Sequence, residues 1–311
     1  MGRISLILAV ALYCVLNAPA PDTRIVAAIN AAVADSNQQV DDYTEGKYYC
    51  PMDADVRSSE EGFCPKCGMK LVAGVKDTSE YPINFTVAPS IPRAADLTRL
   101  TFGVVAPGDG SPVRNFEIVH EKLYHVFVVS QDLSFFLHTH PERNEGEDFH
   151  LDVRFPKPGM YRVLSDFYPS GGTPQLITNT VMIPGDGFSL QPAQIHADLS
   201  ARQTENSHVE LVAPQRILAR DKVSLSFRVT PDDGIEPYLG VMAHMLAASS
   251  DLIDMMHDHP TQSLDKGSHA FKELQFVVLF PRPGIYRVWI QFQRKGLVNT
   301  ASFDIPVDDS E

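Results

Sequence analysis

Basic residues are scarce in this chain of 311: 26 Lys and Arg stand against 39 Asp and Glu, a formal net charge of −13. That balance argues against a nucleic-acid binder and against residence on anionic membrane surfaces. It selects no cationic partner by itself, since acidic surfaces are commonly just solvated. Long hydrophobic runs are scarce too. Outside residues 4–16, no segment approaches the roughly 18 apolar residues needed to span a bilayer. No Gly-x-Ser-x-Gly, P-loop or dinucleotide fingerprint occurs. Cysteine is rare, with four in all, and three of these lie in one short stretch.

What is present begins with Met1-Gly2-Arg3, an apolar run over 4–16, and Ala18-Pro19-Ala20. This is the layout of a secretory signal peptide over residues 1–20, so the protein is expected to be exported, periplasmic or extracellular. Pro21 sits just after the expected cleavage point, where it is unfavourable, which leaves an uncleaved N-terminal anchor as the alternative and the one route to a membrane. Residues 21–46 read as a linker with a short amphipathic segment.

The stretch 47–73 holds Cys50, followed by Cys64 and Cys67 in a C-x-x-C pair with Gly68 directly after it. A glycine there lets the backbone curl so that N–H groups point at the sulfurs and both thiolates face one ion. A module this small does not hold a core without an ion or a staple. A disulfide is the alternative, but three cysteines cannot all pair. Tyr48, Cys50-Pro51-Met52, Cys64-Pro65, Cys67-Gly68-Met69 and Leu71 resemble the heavy-metal-binding domain of periplasmic copper and silver efflux adaptors and of copper-transporting ATPases. The resemblance covers under a tenth of the chain. It implies a bound metal ion and a periplasmic metal-transport protein as partner. The family's His-Pro after Met is replaced by Asp53-Ala54, so Asp53 becomes the candidate fourth ligand, through oxygen.

The remainder is duplicated. Phe155-Pro156-Lys157-Pro158-Gly159-Met160-Tyr161-Arg162-Val163 returns as Phe280-Pro281-Arg282-Pro283-Gly284-Ile285-Tyr286-Arg287-Val288, and Val87-Ala88-Pro89 returns as Val212-Ala213-Pro214, both at an offset of 125 positions. Short alternating runs punctuated by Pro and Gly, without helical periodicity, predict a mainly β protein. The expected architecture is the small cysteine-knuckle module followed by two tandem β-sandwiches of immunoglobulin or cupredoxin type, over 78–186 and 205–308, joined by a linker at 187–204.

Between those matched blocks lies a third, offset by 119 positions: His125, His138 and His140 in one copy and His244, His257 and His259 in the other, each H-x12-H-x-H-P. Side chains two apart on a strand share a face, so each H-x-H projects together, and the first histidine comes from the paired strand. Three converging imidazoles suit Cu(II) or Zn(II). The alternative is that these are structural histidines. As ligands at a sheet end they are expected to be partly hydrated. Met242, Met245, Met255 and Met256 surround the second triad as soft donors or as core filler. His120, His150, His196, His208 and His269 have no counterpart in the other copy and read as surface residues.

His138-Thr139-His140-Pro141 also resembles the zinc motif of JAMM-type metalloproteases, but no correctly spaced Ser-x-x-Asp follows either copy. The expectation is therefore an exported, non-enzymatic protein that handles copper or zinc by sequestration or transfer. A structural or interaction protein with a purely structural zinc is the alternative, and a metallohydrolase a weaker one.

Overall fold

The computed structural model describes residues 48–50, 56–66, 68–73, 80–143, 148–261 and 273–309. The segments expected as signal peptide (1–20) and linker (21–46), together with Asp53, Cys67 and His269, lie outside the described residues. Among the described residues there is no helix.

The metal module is a three-stranded sheet in which Tyr48–Tyr49 lies between Arg57–Ser58 and Val72–Ala73. Each repeat that follows is a sandwich of two antiparallel sheets. In the first, Ile83–Ala88, Leu97–Val104, Phe149–Arg154 and Glu142–Arg143 form one sheet, in that order. The facing sheet runs Gln175–Ile183, Gly159–Phe167, Tyr124–Ser130 and Phe136–Thr139. The second repeat has His208–Val212, Lys222–Thr230 and Glu273–Leu279 opposite Leu297–Val307, Gly284–Arg294, His244–Ser249 and Met255–Asp258. This strand order is that of immunoglobulin-type sandwiches.

The repeated Pro-x-Pro-Gly turns end in matching tyrosine corners. The Tyr161 hydroxyl donates to the Lys157 carbonyl at 2.9 Å, and that of Tyr286 to the Arg282 carbonyl at 3.0 Å. Both tyrosines are buried, so each hydroxyl needs its partner, and the bond anchors the start of the following strand.

Strand Tyr124–Ser130 is buried at every position. Tyr124, Val126 and Val128 enter the core of the first sandwich. Phe127 and Val129 point the other way and join a third core with Leu133, Leu164, Leu246, Ala248, Leu252, Met255 and Trp289. That core is the contact between the repeats: the outer faces of the two corresponding sheets pack on each other. Its polar contacts are reciprocal. Arg162 Nε donates to the Leu252 carbonyl at 3.2 Å, and Arg287 Nη1 to the Leu133 carbonyl at 3.0 Å. The chain thus builds within itself the isologous contact that a two-fold dimer would have.

Candidate metal centre

His125 shares the inter-repeat face of its strand with Phe127 and Val129, and His244 shares that of its own strand with Leu246 and Ala248. His125 and His244 are 2% and 1% exposed. His138 and His140 come from the neighbouring strand, paired so that His138 lies opposite Phe127. His125 Nδ1 lies 3.4 Å from His138 Nε2 and 3.1 Å from His140 Nε2. The second triad repeats both distances, with His244 Nδ1 at 3.4 Å from His257 Nε2 and 3.1 Å from His259 Nε2. Nitrogens about 2.0–2.1 Å from a tetrahedral ion stand about 3.3 Å apart, so both triads already have the spacing of a ligand set.

The outward ring nitrogens fix the tautomers. His125 Nε2 donates to the Val119 carbonyl at 3.0 Å and His244 Nε2 to the Tyr238 carbonyl at 3.1 Å. Carbonyls only accept, so both rings turn a bare Nδ1 lone pair inward. His138 Nδ1 donates to Gln291 Oε1 at 2.8 Å and His257 Nδ1 to Asp166 Oδ2 at 2.5 Å, which leaves a bare Nε2 on each. With neutral rings only one of the three nitrogens facing each other in a triad can carry a proton. A cation satisfies all three, and the residues fit one.

Burial holds His125, His138, His140, His244 and His259 in the neutral, ligating form. It pushes His125 down to about 4 and His140 down to about 3, with the charge of neighbouring imidazoles adding to the effect. His138, His244 and His259 are held well below the ordinary imidazole value by the same causes. Burial alone would raise Asp166, but its hydrogen bond from His257 and the nearby imidazoles win, and its carboxyl ends below the ordinary value.

The triads are not two remote sites. His138 and His244 have ring centroids 5.1 Å apart, and His125 lies 5.9 Å from both His244 and His257. Six imidazoles therefore form one paired centre at the end of the inter-repeat core. The structure brings each triad together as the H-x12-H-x-H spacing predicts, and it joins the two triads, which the sequence places in separate sandwiches. Asp166 and Gln291, which the H-x12-H-x-H pattern does not include, stand at matching places, 125 positions apart, in strands Gly159–Phe167 and Gly284–Arg294. A polar residue at the same position of both strands, on the face that carries Leu164 and Trp289, was the available signal.

His120 corrects a second expectation. It is 4% exposed rather than on the surface. Neither ring nitrogen has a hydrogen-bond partner, and its ring lies 3.8 Å from that of His259. Expected hydration of the ligands is also corrected in part, since the His138 ring stacks on Phe127 at 4.2 Å. The methionines resolve as core filler: Met242 and Met245 are buried in the core of the second sandwich, and Met255 in the inter-repeat core.

In the cysteine module, Cys50 and Cys64 are buried together beside Leu71. Lys66 N–H points at Cys64 Sγ at 3.4 Å, and Gly68, at φ +75°, donates to the Cys64 carbonyl at 2.9 Å. On the Cys64 side this is what a knuckle requires, with the left-handed position given to glycine. Met69, Lys70 and Val72 line one cleft with Phe116, Glu117 and Ile118, which places the module against the first sandwich; Tyr168 of that sandwich is pushed up to about 12, chiefly by burial.

Residues 47–73 match the heavy metal binding domain family, and the stretch is such a domain. Residues 77–184 and 202–309 each match the family described as a domain of unknown function, DUF8832, and together the matches span more than half of the chain. The chain belongs to that family. Its paired centre is therefore built from two DUF8832 domains facing each other. No curated relative matches the chain. Solved structures similar to it include one titled as an anomalous substructure of titin A168–169, at 11% identity, covering 75% of this chain and 100% of that one, with a TM-score of 0.21. Another is of fibronectin(III)-like modules of CbhA from Clostridium thermocellum, at 11% identity, covering 72% and 94%, also with a TM-score of 0.21. At such scores neither carries an argument about this chain.

Proposed function

We propose that the protein is an exported copper- or zinc-handling protein that holds ions at the cysteine module and at the paired histidine centre, and that it stores or passes on metal without chemically transforming a substrate. One observation carries the reading: two triads of imidazole nitrogens at ligand spacing, with two outward ring nitrogens of each triad tied to a fixed acceptor. Such anchoring is what orients and tunes metal-binding histidines. The heavy metal binding domain supports the same class of cargo. Imidazole sites beside a thiolate module suit Zn(II) or copper, since the two donor types together cover borderline and soft ions. The layout of residues 1–20 supports export.

The test is metal stoichiometry of reduced, full-length protein after dialysis against Zn(II) or Cu(I), read by mass spectrometry. Three bound ions are expected, falling by one in His138→Ala/His140→Ala, by one in His257→Ala/His259→Ala, and by one in Cys64→Ser. An unchanged ratio in both histidine variants overturns the reading of the paired centre. Detection of the protein only in the cytoplasmic fraction overturns export.

A further inference from the structure

We propose that His120 is a relay ligand, through which a metal ion bound at the cysteine module passes to the histidine triad of the second repeat. The proposal rests on the reading of module and triads as metal sites. A cleft of about 460 Å³ lies between the module and the turn that carries His120, walled on the module side by Met69, Lys70 and Val72, with Glu117, Glu121 and His120 among the residues opposite. Among the described residues, His120 is thus the one that both lines this cleft and stacks on a triad ring. Its ring is 3.8 Å from His259 and 5.6 Å from His244, while the nearest measured ring of the first triad, His125, is 6.2 Å away. The delivery therefore points to the second triad.

The fold does not require a histidine there. His120 stands at φ +50° in a tight turn, and the second repeat builds the same turn with Leu239 at φ +54°. An apolar side chain is thus accepted at this place. A buried imidazole with both nitrogens unpartnered is destabilising in comparison, since each loses its water without gaining a bond. A passing cation supplies what is missing. The module offers thiolates and the Met69 thioether, and His120 and the triad offer imidazole, so the donors on the two sides run from soft to borderline. At each step one metal–ligand bond forms as another breaks. No electron is transferred, and a neutral His120 binds through its bare nitrogen without releasing a proton.

Cobalt(II) tests this in the reduced, full-length protein, because thiolate-bound cobalt has a near-ultraviolet charge-transfer band that imidazole-bound cobalt lacks. With one equivalent added, the sulfur band of the wild type should decay as a nitrogen-only visible spectrum grows, at a rate independent of protein concentration. His120→Leu, which copies the second repeat, and His120→Asn, which tolerates the left-handed backbone, should reach the same final spectrum about ten-fold more slowly or worse. Wild-type rates in the folded variants overturn the relay alone, as does nitrogen-bound cobalt that forms without a preceding sulfur band. A lower final amplitude in the variants makes His120 a resident ligand and also overturns it. If wild type shows no nitrogen-bound cobalt at any ratio, the underlying reading of the triads fails as well.

Discussion

Asp166 and Gln291 occupy the same place in the two repeats, and each accepts a hydrogen bond from a histidine of the other: His257 donates to Asp166 at 2.5 Å, and His138 to Gln291 at 2.8 Å. The two-fold relation of the repeats is kept in geometry and broken in charge. One triad is backed by a carboxylate and the other by a carboxamide that is itself held by Thr300 at 3.0 Å.

A carboxylate makes its imidazole the more basic ligand, so the second-repeat triad should bind Zn(II) more tightly than the first. Asp166→Asn should weaken that triad by about ten-fold or more, and Gln291→Glu should strengthen the first triad. Competition against a chromophoric chelator measures both. Two identical affinities in the wild type would show that the backing residue does not tune the sites.

Removing His138 should be felt with and without metal. In chelator, His138→Ala leaves Gln291 Oε1 without its donor and opens space beside Phe127, at a cost of about 1–3 kcal/mol. Added Zn(II) should then raise the melting temperature of the wild type by more than that of the variant, by linkage of binding to folding. Thermal unfolding in the two conditions separates these effects. Equal metal-dependent rises would remove His138 from the ligand set.

Acid should destabilise the metal-free protein in a defined window. Folded-state values of about 4 for His125 and about 3 for His140 lie below the ordinary 6.5. Between those values the unfolded chain binds more protons, so this contribution is complete above about pH 6.5 and is lost as the pH falls toward the folded values. Asp258, raised to about 6 by burial with the Asp166 charge adding, acts in the opposite sense between its ordinary 3.8 and that value. The depressed histidines outnumber it, so stability in chelator should fall from pH 6.5 to 4. Urea midpoints across that range check it, and a flat profile would contradict the burial of the rings.

Coupling between the repeats should be measurable through Phe127 and Leu246, each 1% exposed in the shared core. Alanine at either should cost about 2–5 kcal/mol. A double-mutant cycle should give less than the sum, because the two side chains lie in one core. Strict additivity would indicate that the repeats fold without this contact.

Much of this was legible in the chain. Tyr161 and Tyr286 at the same offset, with Pro-x-Pro-Gly before them, announce two copies of one sandwich. H-x-H spacing on a strand, together with a histidine on its hairpin partner, determines each triad, because pleat and register are local. Cys64-Pro65-Lys66-Cys67-Gly68 determines a knuckle for the same reason.

Which surface covers the outer face of Tyr124–Ser130 was decided only in three dimensions. A strand buried on both faces has the same pattern of residues whatever lies against it, so Phe127 and Val129 do not name Leu246 and Ala248 as their neighbours. The docking of the repeats then joined the two triads, carried Asp166 to His257 across 91 positions of sequence and His138 to Gln291 across 153, and buried His120 against His259. These contacts depend on packing between surfaces far apart in the chain, where no local periodicity reaches.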